Sequence, residues 1–222
     1  MRTPPCLFAF LMLLSACTTE TYDSGDGKYS LMCAEFADAH VVSAGKIDKA
    51  LTDDNATLVF VPYATASWAD RPDSIVRALI YYNKVESATT EALSVVRVPT
   101  LRWVDASEID TIFTDPLTFE SAWMSPLHKY LNIGLGIKTA KVDDEDAHQS
   151  IAMVCDSITK DDDGQQKIFL RLYHKQNGVP EYYTTKTYIS IPIPDSLYKA
   201  TVQLTVNSYK GEVQKAFEYV ER

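Results

Sequence analysis

The feature that most constrains this chain is strict alternation of apolar and polar or small residues, repeated along its second half. Leu131, Ile133, Leu135 and Ile137 are set against Asn132, Gly134, Gly136 and Lys138. Because successive strand side chains point to opposite faces, this gives one apolar and one polar or small face. Val202, Leu204 and Val206 repeat the pattern against Gln203, Thr205 and Asn207, and Ile168, Leu170 and Leu172 alternate with Phe169, Arg171 and Tyr173. Ile189, Ile191 and Ile193 alternate with Tyr188, Ser190 and Pro192, where the proline marks a strand end or edge. Turn chemistry stands between the runs at Asp163-Gly164, Asn177-Gly178 with Pro180, Pro194-Asp195-Ser196 and Lys210-Gly211. Six or so strands between Tyr130 and Tyr219 therefore predict an antiparallel β-sandwich.

The first half is less regular. β-rich runs cover residues 29–36, 57–61, 76–85 and 93–104. Residues 34–51 carry the alanines and spacing of a helix, whereas Ser43-Ala44-Gly45 in their middle reads as a hairpin or loop. Alternation fades over residues 108–120, which contain Asp115-Pro116, and the domain boundary is placed there.

The N-terminus describes an exported chain. Met1 and Arg2 precede an apolar run over residues 6–14, too short to cross about 30 Å of hydrocarbon as a helix. The following Leu14-Ser15-Ala16-Cys17 resembles the lipobox of bacterial lipoproteins, in which the cysteine is acylated and becomes the mature N-terminus. Cys17 is thus the expected lipidation site. Behind it, residues 18–27 are polar, acidic and glycine-containing, the composition of a flexible tether. Their acidity loosely resembles the signal that exports lipoproteins of Bacteroides-type bacteria to the outside of the outer membrane, and a solvated spacer fits the composition equally.

The second half resembles the NigD-like lipoproteins of Bacteroidetes. The resemblance rests on Lys129-Tyr130-Leu131-Asn132-Ile133, on Asp161-Asp162-Asp163-Gly164 leading into the run from Lys167 to Lys175, on Tyr188-Ile189-Ser190-Ile191-Pro192, and on Val206-Asn207-Ser208-Tyr209-Lys210-Gly211. It implies a mostly β protein with an N-terminal OB-like β-barrel followed by a C-terminal antiparallel β-sandwich. It implies no catalytic residues, and an immunity role is only suggested by the bacteriocin gene cluster that named the family. The expected organisation is a signal peptide over 1–16, a tether over 17–28, an OB-like domain over 29–112 and a sandwich over 113–222.

Chemistry-bearing motifs are sparse. There is no GxSxG, no HExxH and no glycine-rich phosphate loop, and His40, His128, His148 and His174 have no ligand spacing. The acidic runs Asp143-Asp144-Glu145-Asp146 and Asp161-Asp162-Asp163-Gly164 lack EF-hand spacing and read as solvated loops, so no metal or cofactor is expected. Cys33 and Cys155 are far apart in sequence and read as buried free thiols in preference to a disulfide. A net charge of -9 argues against a nucleic-acid partner, since polyanion binding needs clustered Lys and Arg. Tyr81, Tyr82, Trp68 and Trp103 read as core residues, with stacking on a sugar or peptide as the alternative.

These features predict a non-catalytic binding or structural module, anchored in the outer membrane through Cys17, facing outward or into the periplasm, and binding a protein or a glycan. A protective factor against a bacteriocin is the alternative. A glycan-active enzyme with a carboxylate pair is a further one, because two acids can converge without any signature in sequence spacing.

Overall fold

The computed structural model describes residues 31–83, 89–141, 148–197 and 199–219. The signal segment, Cys17, the tether and the acidic run at 143–146 lie outside them. Among the described residues the chain is all strand and loop, apart from two 3-10 turns at Ala106–Glu108 and Asp195–Leu197.

In chain order the strands are β1 (Met32–Ser43), β2 (Lys46–Thr52), β3 (Thr57–Thr65), β4 (Ser74–Asn83), β5 (Thr89–Thr90), β6 (Ala92–Arg97), β7 (Trp103–Asp105), β8 (Thr118–Met124), β9 (Tyr130–Thr139), β10 (Ser150–Lys160), β11 (Gln166–Lys175), β12 (Tyr183–Pro192), β13 (Thr201–Ser208) and β14 (Gly211–Phe217). The first six form one sheet, ordered β5-β3-β2-β1-β4-β6, which curls so that β3 and β6 approach each other. This half-barrel encloses a core mostly of small and medium residues, among them Ala37, Ala39, Ile47, Ala78 and Ile80, around the larger Phe60. The ambiguous stretch 34–51 is a β-hairpin. Gly45 supplies the positive φ of +74° that its turn requires, and the alanines at 37 and 39 fit the narrow barrel interior.

The remaining strands form the sandwich. One sheet runs β14-β13-β11-β10-β7 and faces a second, β12-β9-β8. Leu131, Ile133 and Leu135 are fully buried between them with Met153, Leu170 and Leu204, each such side chain contributing about 1.5–3 kcal/mol.

The β-sandwich expected from the sequence is observed, and most of its pairings are antiparallel, with two parallel ones among them. β13 pairs with β11 in parallel, and β7 with β10 in parallel. The reason is topological: β12 crosses to the opposite sheet, so β13 returns in the same direction as β11. The connector from the half-barrel also feeds this sheet, since Trp103–Asp105 pairs with Met153 to Cys155 and not with the curled sheet.

β9 occupies a middle layer, with both faces covered. Its odd-numbered face fills the sandwich core, while Asn132, Gly134 and Gly136 on the other face are also buried. A Cβ on Gly134 would lie 2.8 Å from Ser121 Oγ and 3.1 Å from the Tyr188 ring. The missing side chain therefore lets Tyr188, its partner on β12, lie across the strand toward the half-barrel.

Candidate functional site

The half-barrel meets the three-stranded sheet through a buried polar cluster centred on Arg77 of β4. Ser74-Ile75-Val76-Arg77-Ala78-Leu79-Ile80 alternates so that Ala78 and Ile80 enter the barrel core and Arg77 projects from the outer face. There the guanidinium is almost wholly enclosed, its side chain 2% exposed. Charge at that depth requires partners. Asp53, in the turn after β2, supplies both carboxylate oxygens at 2.7 and 2.8 Å, and Asp38 of β1 lies at 3.4 Å.

The other partners come from across the junction. Arg77 donates to Ser190 Oγ on β12 and to Asn132 Oδ1 on β9, each at 3.3 Å. Its guanidinium carbon stands 3.9 Å from the centre of the Tyr130 ring, a close cation–π geometry. The Tyr130 hydroxyl donates to Asp38 at 3.1 Å, Ser190 donates to Asn132 Oδ1 at 2.7 Å, and Asn132 donates to Asp53 at 3.3 Å. Burial, followed by the charge of Asp38, pushes the Tyr130 hydroxyl up to about 12, so it remains a donor at neutral pH.

Main-chain bonds reinforce the joint. Val98 N–H donates to the Arg77 carbonyl, Ser190 N–H to Pro99, and Leu101 N–H to Ser190, so the connector runs as an extra strand beside β12.

Beside the cluster lies a cleft of about 240 Å³, lined by Glu35, Phe36, Asp53, Asp54, Trp123 and Met124 with their neighbours. Phe36 of the half-barrel meets Trp123 at 5.3 Å and Tyr188 at 5.4 Å, both edge to face. The cleft thus has aromatic walls and carboxylates, the chemistry of a cationic or hydroxylated ligand site. Asp53 is engaged by the guanidinium, which removes it from any free acid–base pair.

The histidines do not converge. His40 contacts Asp48 at 2.6 Å. Partial burial opposes ionisation of Asp48, but the hydrogen bond and charge of His40 outweigh it and hold the carboxyl below the usual carboxylate range. His174 is buried and hydrogen-bonds the Asp115 carbonyl through Nδ1, His128 packs edge-on against Tyr219, and His148 is exposed. Cys33 and Cys155 are free thiols; Cys155 is buried in the sandwich core, whereas Cys33, expected to be buried, is half-buried against the barrel core. Tyr82 is core, whereas Tyr81, Trp68 and Trp103 are half-buried. Asp161 caps its own turn by accepting from Gln165 N–H at 2.8 Å. Among the described residues no three His, Cys, Asp or Glu gather as metal ligands.

Residues 102–219, more than half the chain, match the family model of the NigD-like C-terminal beta sandwich domain. The chain belongs to the NigD-like family. Solved structures share the architecture across both units. A NigD-like immunity protein from Bacteroides caccae aligns over 86% of this chain and 97% of its own, with a TM-score of 0.62 at 21% identity. A protein of unknown function from Bacteroides vulgatus aligns over 86% and 92%, at 0.63 and 17% identity. A candidate lipoprotein from Bacteroides fragilis aligns over 85% and 98%, at 0.57 and 13%. At these identities the likeness is one of fold. No curated protein matches the chain.

In this NigD-like chain the NigD-like segments Tyr130 to Ile133 and Tyr188 to Pro192 carry four of the junction residues: Tyr130, Asn132, Tyr188 and Ser190. Sequence reasoning did not single out Arg77, Asp38 or Asp53. One signal was present, an arginine within the apolar run of β4, where a buried charge implies partners. Asp38 and Asp53 carried none: Asp38 meets Arg77 as its cross-strand partner on β1 and Asp53 reaches it from the turn after β2, and which strands lie side by side is not written in local alternation.

Proposed function

We propose that this NigD-like chain is a lipoprotein anchored in the outer membrane through Cys17, whose half-barrel and sandwich act together as a non-catalytic module binding a cationic protein segment in the junction cleft. The observation that carries this reading is the cleft itself, where Glu35 and Asp54 flank Phe36 and Trp123 while Arg77 occupies Asp53. A net charge of -9 adds long-range attraction for a basic partner. Binding can be followed by the change in tryptophan fluorescence, absent in Trp123→Phe, during titration with a lysine-rich peptide that contains no tryptophan. Glu35→Gln with Asp54→Asn should weaken it by about tenfold, and unchanged affinity would sink the cleft as the site. Cys17→Ala should release the protein from the membrane fraction; unaltered fractionation would refute the anchor.

A protective role against a bacteriocin is the second reading, favoured by the acidic cleft and by the Bacteroides caccae relative described as an immunity protein. Loss of the gene should then sensitise cells to bacteriocins of sibling strains, and unchanged sensitivity across a panel would count against it.

A further inference from the structure

Near the Val41–Ser74 end of the β1–β4 pair lies a second depression, of about 330 Å³, lined by Trp68, Asp70, Arg71, Ser74, Ile75 and Arg97 among others. Its two arginines are exposed, and neither forms an ion pair among the described residues. By contrast Arg77 and Arg171 are both matched to aspartates. In a chain with 30 acidic residues against 21 basic ones, two unmatched arginines on one small depression stand out from the prevailing charge.

The loop that carries Arg71 is held in place. Gly45 N–H donates to Ala69, Ala66 N–H to Gly45, Ala69 N–H to Ala66 and Asp73 N–H to Val41. Ser74 Oγ donates to the Arg71 carbonyl at 2.6 Å. Arg97 ends β6, paired to Ala78 of β4. Both guanidiniums therefore project from ordered backbone, which lowers the entropic cost of engaging a ligand. Trp68 is half-buried against the barrel core and offers an apolar ring, and Asp70 offers a hydroxyl acceptor on the same rim.

We propose that this depression binds an acidic saccharide. Arg71 and Arg97 take the sulfate, phosphate or carboxylate group as charge-assisted forks, Asp70 accepts from a ring hydroxyl, and Trp68 packs on the sugar face. The preceding chain enters β1 where Met32 pairs with Asn83, whereas the Arg71 side of the depression lies near the Val41–Ser74 pair, about 30 Å away at roughly 3.3 Å per residue, and Arg97 stands level with Ala37 and Ala78, about halfway. A body held by its N-terminal segment thus presents the depression away from its attachment, where a glycan meets it before a lipid surface does. That orientation rests on the anchored reading; the ligand chemistry does not.

The test titrates the purified full chain, by calorimetry and tryptophan fluorescence, with a sulfated, uronate-containing disaccharide, with its desulfated and carboxyl-reduced counterpart, and with phosphatidylglycerol vesicles. Saturable binding of the sulfated sugar is expected, with little from the neutral one and an unaltered response in Cys17→Ala. Arg71→Gln with Arg97→Gln, both at exposed positions, should lower affinity at least about tenfold while leaving the circular dichroism spectrum intact. Equal binding of the neutral sugar, unchanged affinity in the double variant, no saturable binding, or binding confined to the vesicles would each overturn the proposal.

Discussion

Replacing Arg77 by Met should loosen the union of half-barrel and sandwich more than any surface change. The substitution removes a cation whose side chain is 2% exposed and leaves Asp53 and Asp38, with side chains 15% and 24% exposed, facing each other without it. It also strips Ser190 and Asn132 of a donor. Breaking a buried ion pair from one side costs about 3–5 kcal/mol. The two aspartates keep some solvent, so the lower end, about 3 kcal/mol, applies. Arg77→Lys keeps the charge but not the planar fork, and should cost about half as much. Adding Asp38→Asn and Asp53→Asn to Arg77→Met removes the stranded charges and should restore much of the loss. Equilibrium denaturation followed by circular dichroism and tryptophan fluorescence reads these differences. The wild-type chain should unfold with coincident probes, and Arg77→Met should separate the half-barrel transition from that of the sandwich. A loss below about 1 kcal/mol, or no recovery in the neutral triple variant, would refute the view that this cation ties the two units together.

Gly134→Val should cost about 1–3 kcal/mol by denaturant titration, since the new side chain meets Ser121 Oγ and the Tyr188 ring; a neutral effect would show that Tyr188 does not depend on the space. Tyr130 gives a pH signature of defined sign. Its folded value is raised to about 12 from 10.0, so its contribution is complete below pH 10 and is lost as pH rises from 10 through 12. The stability gap between wild type and Tyr130→Phe should therefore shrink over that window by about 1–2 kcal/mol, after allowance for the screening of a half-buried hydroxyl. A gap constant from pH 9 to 12 would show that burial and Asp38 do not hold the hydroxyl protonated.

Most of the strands could be read in the sequence because alternation is a local property. Any strand with one face against a core must repeat its apolar residues at period two, and β9, β11, β12 and β13 do so whatever their neighbours are. The hairpin over 34–51 depended on Gly45, since alanine suits both a helix and a narrow barrel interior and does not choose between them. Parallel pairing of β11 with β13 was not legible, because alternation fixes which residues face inward but not which strand lies alongside.

The junction divides in the same way. Asn132, Gly134 and Gly136 read as the outer face of β9, and a polar or small face is what solvent would select. The structure buries that face, and the residues serve there as hydrogen-bond partners and as room for Tyr188. The sequence by itself determined the β class, the alternating faces and the places where turns fall, because these follow from backbone geometry and from which side chains leave water. The tertiary structure alone decided that Arg77 would be neutralised by Asp38 and Asp53 and linked to Asn132 and Ser190. Those contacts join residues up to 113 positions apart, and the energy of a buried charge depends on what stands within a few ångströms, not on its place in the chain.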